Sequence, residues 1–229
     1  MISLFLFNRL CKFTFMKFYD VHTHRKNSLE NVLSIYNLTS EEIFGRQYEE
    51  KEDLFYSAGI HPWESDSSLI TLELLEKVLQ YKKIVALGEV GLDKVCQVPF
   101  EVQKQIFKQQ IELAIQYDLP LIIHCVKAWD ELIAIRRQTQ HNKSWIIHGF
   151  RGGKEQLKQL EKFNFIFSFG EYYNREALLA AYPSKMLIET DESNLQISQI
   201  YNQIASDIQC NIAELQQLIS QNVSCVFDL

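Results

Sequence analysis

The sequence predicts an α/β protein folded as a (β/α)8 TIM-type barrel. Three observations carry that expectation. Eight short apolar runs alternate with helix-like stretches from residue 16 to the C-terminus. Five of these runs lead into a side chain able to hold a metal: His22 and His24, Glu89, His124, His148, and Asp191. No GxGxxG motif follows any run, which disfavours an open doubly wound sheet, the competing arrangement. In a barrel, the residues that do chemistry stand at the C-terminal ends of the strands.

The elements are expected in the following order. Residues 1–15 are apolar and aromatic but interrupted by Asn8, Arg9 and Lys12. They are too short to span a membrane and lack the layout of a signal peptide. They are expected to be an appendage outside the fold, or to precede a natural start at Met16, with a short hydrophobic anchor as the alternative. The first strand falls at about 17–22 and ends in Asp20-Val21-His22-Thr23-His24. Alternation along a strand puts His22 and His24 on one face. The second strand covers 32–38, and the third covers 55–60, ending at His61-Pro62-Trp63. Apolar residues at 69, 72, 75, 78 and 79 predict a helix over 69–81. The fourth strand, 84–88, runs into Glu89, and a helix over 100–117 follows. The fifth strand, 119–124, carries Pro120 near its start, where a strand tolerates it. A helix at 128–138 leads to the sixth strand at 144–148. Gly152-Gly153 marks a turn before a helix to about 162, and the seventh strand is 163–169. A short helix at 174–181 is broken by Pro183, the eighth strand is 186–190, and helices at 196–208 and 211–221 finish the chain. The spans after the first two strands are thin for full helices, so that corner is expected to be irregular. Residues 16–229 are expected to form one domain, with no repeat or low-complexity tract.

Composition narrows the function. The chain has 229 residues, 47% of them hydrophobic and 23% charged, which suits one globular domain with its own core. The net charge is −6, so a basic nucleic-acid-binding surface is not expected. If the substrate is a phosphodiester, bound metal must supply most of the positive charge at the site. Five scattered cysteines without a CxxC argue against a disulfide framework or a structural zinc site. They favour a reducing compartment, and a cytoplasmic location is expected. Cys125, adjacent to His124 on a strand, should point the other way and into the core.

Five of the six histidines, all but His141, fall at expected strand ends. Burying so many titratable groups without a cation would be costly. Imidazoles and carboxylates without thiolates suit a hard or borderline divalent ion. Six ligands exceed the need of one catalytic ion, so two ions bridged by a carboxylate are expected. Glu89, from a middle strand, is the expected bridge. His22, His24 and Asp191 come from the first and last strands, neighbours in a closed barrel, and would share one ion. His124 and His148 would share the other.

These motifs, together with Gly59-Ile60-His61-Pro62-Trp63, Gly88-Glu89-Val90-Gly91-Leu92-Asp93, Ile147-His148-Gly149-Phe150 and Glu189-Thr190-Asp191, stand in an order that resembles the TatD family of metal-dependent deoxyribonucleases, within the amidohydrolase superfamily. The resemblance covers about Met16 to the end, including the stretch from Asn222 to Phe227. It implies a two-metal site, hydrolysis of phosphodiester bonds in DNA, and metal roles for the same six residues. Two departures stand out. Lys127 occupies a position that is usually arginine, and Glu192-Ser193-Asn194 replaces a proline-containing loop. With the short chain, which trims the loops around the substrate groove, they bear on substrate preference and leave the metal ligands intact.

Other roles are expected as follows. Asp191 acts as general base on a metal-activated water. His61 contacts a substrate phosphate, Lys127 and Arg151 hold phosphates, and Trp63 stacks on a base or packs at the rim. Asp20 and Glu189 support the ligands two residues later, and Asp93 fixes its loop. The ions are expected to be Mg, Mn or Zn. DNA is the expected substrate, with no membrane span and no obligate protein partner evident. The alternatives are an ester or amide hydrolase of the deacylase type on the same barrel, and a non-catalytic binding scaffold.

Overall fold

A computed structural model describes residues 16–26, 30–46, 48–67 and 70–229. The expected appendage, residues 1–15, lies outside the described residues. Eight parallel strands form one sheet in sequence order: β1 (Phe18–Thr23), β2 (Val32–Asn37), β3 (Leu54–Ala58), β4 (Ile84–Asp93), β5 (Leu121–Val126), β6 (Trp145–Ile147), β7 (Phe165–Phe169) and β8 (Met186–Ile188). A parallel bridge between Thr23 and Asp191 brings the two edges together. The Asp191 N–H donates to the His22 carbonyl at 2.9 Å, and the His24 N–H donates to the Asp191 carbonyl at 3.4 Å. The expected (β/α)8 barrel is therefore the fold, and its seam is made by residues proposed above as metal ligands.

Strands buried on both faces read as continuous apolar runs. Every residue of β4, β6, β7 and β8 is buried, which explains why those runs stood out in the sequence. Trp145, Tyr56, Phe165 and Phe167 are among the large side chains buried in the core. Around the barrel lie α2 (Leu72–Leu79), α3 (Phe100–Gln116), α4 (Trp129–Gln138), α5 (Lys154–Glu161), α6 (Arg175–Ala181), α7 (Ile197–Ile208) and α8 (Ile212–Phe227). Between β2 and β3 the described residues form only a six-residue helix, α1 (Ser40–Gly45), in keeping with the irregular corner expected. Its start has a legible cause. Thr39 accepts from the Glu42 N–H while Glu42 accepts from the Thr39 N–H, a capping box.

Two elements run further than expected. The strand expected to stop at 88 continues to Asp93, because Gly91, Leu92 and Asp93 pair with His124, Cys125 and Val126. Glu89 thus projects from within β4 rather than from its end. Gly91 has φ +145°, and a Cβ there would stand 2.0 Å from the His124 carbonyl oxygen, so only glycine lets the two strands meet. The last helix reaches Phe227 instead of 221; Asn222 faces inward enough to donate to the Pro183 and Met186 carbonyls at 2.9 Å. The helix expected over 69–81 is shorter, starting after the Thr71 cap, whose side chain accepts from the Leu74 N–H.

Among the described residues, no helix is long and apolar enough to cross a membrane.

Candidate metal centre

The six expected ligands meet at the C-terminal mouth. The Glu89 side chain stands at the middle, and its two oxygens face different partners. Oε2 lies 3.3 Å from His22 Nε2 and 3.5 Å from His24 Nε2. Asp191 Oδ1 stands 3.7 and 3.6 Å from the same two nitrogens. Oε1 lies 2.7 Å from His124 Nδ1 and 2.7 Å from His148 Nε2. His61 Nε2 joins the Oε1 side at 3.3 Å. In the sets His22–His24–Asp191, His22–Glu89–His148 and His61–Glu89–His124, one ligand atom per residue lies within 4.8 Å of the others.

Local structure places each group. β1 pairs with β2 through Asp20 and Ser34, then through Thr23 and Tyr36, so one extra residue is accommodated in β1 beside His22. β4 shows the same against β5, between Leu87 and Val90, at Glu89. Such irregularities re-aim side chains next to active sites. Asp191 adopts φ +53°, a left-handed conformation seldom used outside glycine, which turns it inward from the end of β8. Behind the ligands, Asp20 accepts from the Thr190 N–H at 2.9 Å and hydroxyl at 2.7 Å, fixing the turn before Asp191. Glu189 accepts from the Gly149 N–H at 2.5 Å and stands 3.5 Å from His148 Nδ1.

The buried polar atoms of the site bear on whether it suits a divalent cation. His22 has no exposed surface, yet among the described residues its Nδ1 has no hydrogen-bond partner and its Nε2 has only the 3.3 Å approach to Glu89 Oε2. His148 Nδ1 and Glu189 Oε2 are orphaned in the same way. Buried polar atoms are nearly always paired, so such a cluster needs an explanation. A cation at the imidazole and carboxylate atoms accounts for it, and the residues fit.

Electrostatics agree with the role of Glu89. Burial alone would raise its carboxyl, but the charge on His148 and the hydrogen bonds from His124 and His148 outweigh it and hold it well below the usual carboxylate range. Glu89 therefore stays ionised. Burial, reinforced by the negative charge of Glu189, raises the Asp191 carboxyl. Burial pushes Asp20 up to about 7.

The remaining expected residues line the mouth. His61 and Trp63 sit at the 3-10 turn Pro62–Glu64 after β3 and border a cavity of about 350 Å³ that also reaches Glu89, His124, His148 and Asp191. Trp63 is exposed, but its indole N–H donates to Asp93 Oδ2 at 2.7 Å, so its ring is held in one orientation. Lys127 and Arg151 line a second cavity of about 390 Å³ beside His124 and His148. Cys125 borders it too and is only partly buried, although burial still pushes its thiol up to about 12. His141 stands apart, accepting from the Trp145 indole N–H at 3.0 Å.

Several supporting groups escaped the sequence reading. Asp93 does hold its loop, through the Val95 N–H at 2.7 Å, and it also ties Trp63 to His124, whose Nε2 lies 3.4 Å away. Gln110 accepts from the Ile60 N–H at 2.6 Å and donates to the Ile60 carbonyl at 3.0 Å, fixing the residue before His61. Gln103 does the same for Asp93, at 2.8 and 2.9 Å. Both glutamines are buried, on one face of α3, two turns apart. Their spacing within an otherwise apolar face was the available signal.

A parallel eight-stranded barrel with histidines and carboxylates gathered around a central glutamate at its C-terminal mouth belongs to the class of metal-centre barrels. More particularly, the chain belongs to the TatD related DNase family, whose model matches residues 19–228. It is 33% identical over 153 residues to the protein named uncharacterized metal-dependent hydrolase YabD of Bacillus subtilis, covering 62% of this chain and 60% of that one. It is 29% identical to uncharacterized metal-dependent hydrolase YjjV of Escherichia coli over 68% of this chain and 64% of that one. It is 28% identical to deoxyribonuclease Tat-D of Schizosaccharomyces pombe over 59% of this chain and 50% of that one. The matched segment thus spans less than two thirds of the length of these relatives. The crystal structure of YjjV, described as a TatD homologue, superposes with a TM-score of 0.81 at 22% identity, over 93% of this chain and 99% of that one. At that identity the likeness bears on the fold.

Proposed function

We propose that this chain is a metal-dependent phosphodiesterase that cleaves DNA, in which Glu89 and the residues around it would hold two divalent ions. The observation that carries the reading is the division of labour at Glu89. One oxygen faces His22, His24 and Asp191, and the other faces His124 and His148. A single ion would not need a buried carboxylate placed between two imidazole groups. Relatives named as metal-dependent hydrolases and as a deoxyribonuclease support the substrate class. His22, His24 and Asp191 would hold one ion, His124 and His148 the other.

When bound, such ions supply Lewis-acid polarisation of phosphoryl oxygens and a lowered pKa for water, and Mg, Mn and Zn all suit the donors. The protein's own groups do the rest. Asp191, with its carboxyl raised by burial, takes the proton as the water oxygen bonds to phosphorus. The ester P–O bond opposite breaks, and the departing oxygen takes up a proton. His61 Nδ1 accepts from the Trp63 N–H at 3.2 Å, so the neutral ring carries its proton on Nε2. That nitrogen faces the centre and donates to a phosphoryl oxygen. Lys127 and Arg151, exposed beside His124 and His148, hold neighbouring phosphates. Trp63, clamped by Asp93, offers a fixed ring for a base.

The test is hydrolysis of single-stranded and duplex DNA by the full chain, with chelator and then with Mg, Mn or Zn restored. Cleavage should vanish with chelator, return with metal, and fall below about a tenth in Glu89→Ala and Asp191→Ala, a loss of at least ~1.4 kcal/mol of transition-state stabilisation. Far-UV circular dichroism should show both variants folded. Turnover of plain esters or amides instead of DNA would replace the phosphodiesterase reading with the acyl-ester alternative.

A further inference from the structure

Tyr172 is exposed to 61% and takes no part in the core. It follows β7, whereas Trp63 follows β3. Four strands apart in a barrel of eight, the two rings flank the metal centre from opposite sides. The Arg151 guanidinium lies over the Tyr172 ring, 5.4 Å from its centroid. The charge on Arg151 also acts on the neighbouring Glu171 carboxylate, which accepts a hydrogen bond from the Tyr172 hydroxyl and so steadies the ring. A cavity of about 260 Å³ opens beside the pair, formed by the loops after β6, β7 and β8, and it shares Glu189 and Asp191 with the metal centre.

The floor of this cavity is kept low without a structural need. A Cβ at Gly170 would meet the Glu189 carbonyl oxygen at 3.6 Å and its Cγ at 3.7 Å, ordinary contacts, and no left-handed backbone forces glycine there. A glycine that neither packing nor conformation requires leaves room for something else. On the far wall, Ser193 donates to Glu171 at 2.5 Å, which holds that loop in place, and the exposed Asn194 adds an amide at the edge.

We infer that this cavity is a nucleobase subsite, in which the Tyr172 ring, backed by the Arg151 guanidinium, stacks on the base of a nucleotide flanking the scissile phosphate. A flat aromatic ring, a planar cation and a cavity of base size are the features that recognise a base face. A base paired inside a duplex cannot enter, so the subsite selects an unpaired strand. The inference rests on the phosphodiesterase reading and deepens it. It divides the work between two loops: Lys127, after β5, meets phosphate, and Tyr172, after β7, meets the base.

The experiment compares wild type with Tyr172→Ala, Tyr172→Trp and Gly170→Val, each loaded with Mn. Two measurements are made: cleavage of a single-stranded oligonucleotide, and calorimetric binding of a deoxynucleoside 5′-monophosphate against deoxyribose 5-phosphate. Tyr172→Ala should raise KM for the oligonucleotide about tenfold, the order expected for one lost base stack. It should weaken the mononucleotide similarly and leave deoxyribose phosphate unchanged. Gly170→Val, which fills the cavity, should match it, and Tyr172→Trp should retain wild-type values. Wild-type cleavage with Tyr172→Ala unaffected overturns the subsite alone. Equal weakening of the nucleotide and the sugar phosphate also overturns it, because the loss would not lie in the base. A wild-type protein that neither cleaves the oligonucleotide nor binds the mononucleotide overturns the phosphodiesterase reading and the subsite with it.

Discussion

Gln110→Leu isolates the device that holds His61. The glutamine is fully buried on α3, and its amide clasps both backbone groups of Ile60, the N–H at 2.6 Å and the carbonyl at 3.0 Å. Leucine has nearly the same volume, so packing survives while both hydrogen bonds are lost. Ile60 is itself buried at 4% exposure, and water cannot replace the amide without opening the barrel. Two buried backbone groups left unpaired cost about 1–3 kcal/mol each. The apolar area gained by leucine offsets about 1–2 kcal/mol of this. The net loss should be about 2 kcal/mol, read as a lower urea midpoint at unchanged slope. Gln116→Leu is the control on the same helix, because Gln116 is exposed and bonds the half-buried Glu76, and its change should stay within about 0.5 kcal/mol. If Gln110→Leu also stays within about 0.5 kcal/mol, the Ile60 backbone does not depend on the amide and the reasoning fails.

Two other substitutions probe the frame. Gly91→Ala places a Cβ 2.0 Å from the His124 carbonyl at φ +145°, so it should cost about 3 kcal/mol or more, visible as a lower thermal midpoint and poor soluble yield. Cys125, whose thiol burial pushes up to about 12, should be alkylated by iodoacetamide far more slowly than the exposed Cys225 at pH 7.5. Its rate should rise with pH throughout the range in which the fold survives, as read by peptide mass spectrometry. Equal labelling of the two thiols would contradict the burial assigned to Cys125.

The sequence displayed the barrel because strands covered on both faces must be apolar throughout. Ile146, Phe167 and Leu187 sit in such runs, and each is buried. The ligands were legible for a related reason: His22, His124, His148 and Asp191 interrupt or follow apolar runs, where a charged or titratable group has no packing role. What stayed hidden depends on contacts between distant segments. The extension of β4 through Asp93 relies on Gly91 meeting His124, and residues 89–93 carry too much polarity to look like a strand. Gln103 and Gln110 look like surface residues until α3 is laid on the barrel. Tyr172 looks like a loop residue until Arg151 comes over its ring. The capping box at Thr39 and Glu42 is the exception, since its spacing alone announces the start of α1.

The charge around the mouth argues further about how a polyanion is held by a protein of net charge −6. On the β2–β3 side the cavity at the metal centre is walled by Glu41 and Glu64, which would repel a phosphodiester backbone. On the β5–β6 side stand Lys127 and Arg151, both exposed, with the Glu171 carboxylate near Arg151. On the proposed phosphodiesterase reading a substrate strand would be drawn to the Lys127 side, and the opposite cavity, with the fixed Trp63 ring, would take a base rather than a phosphate. Lys127 is a point charge, which attracts phosphate without orienting it. Arg151 is a planar fork held over Tyr172, and it orients what it binds. On the proposed phosphodiesterase reading Arg151 would do the orienting, and a bound strand would be positioned from the loops after β6 and β7.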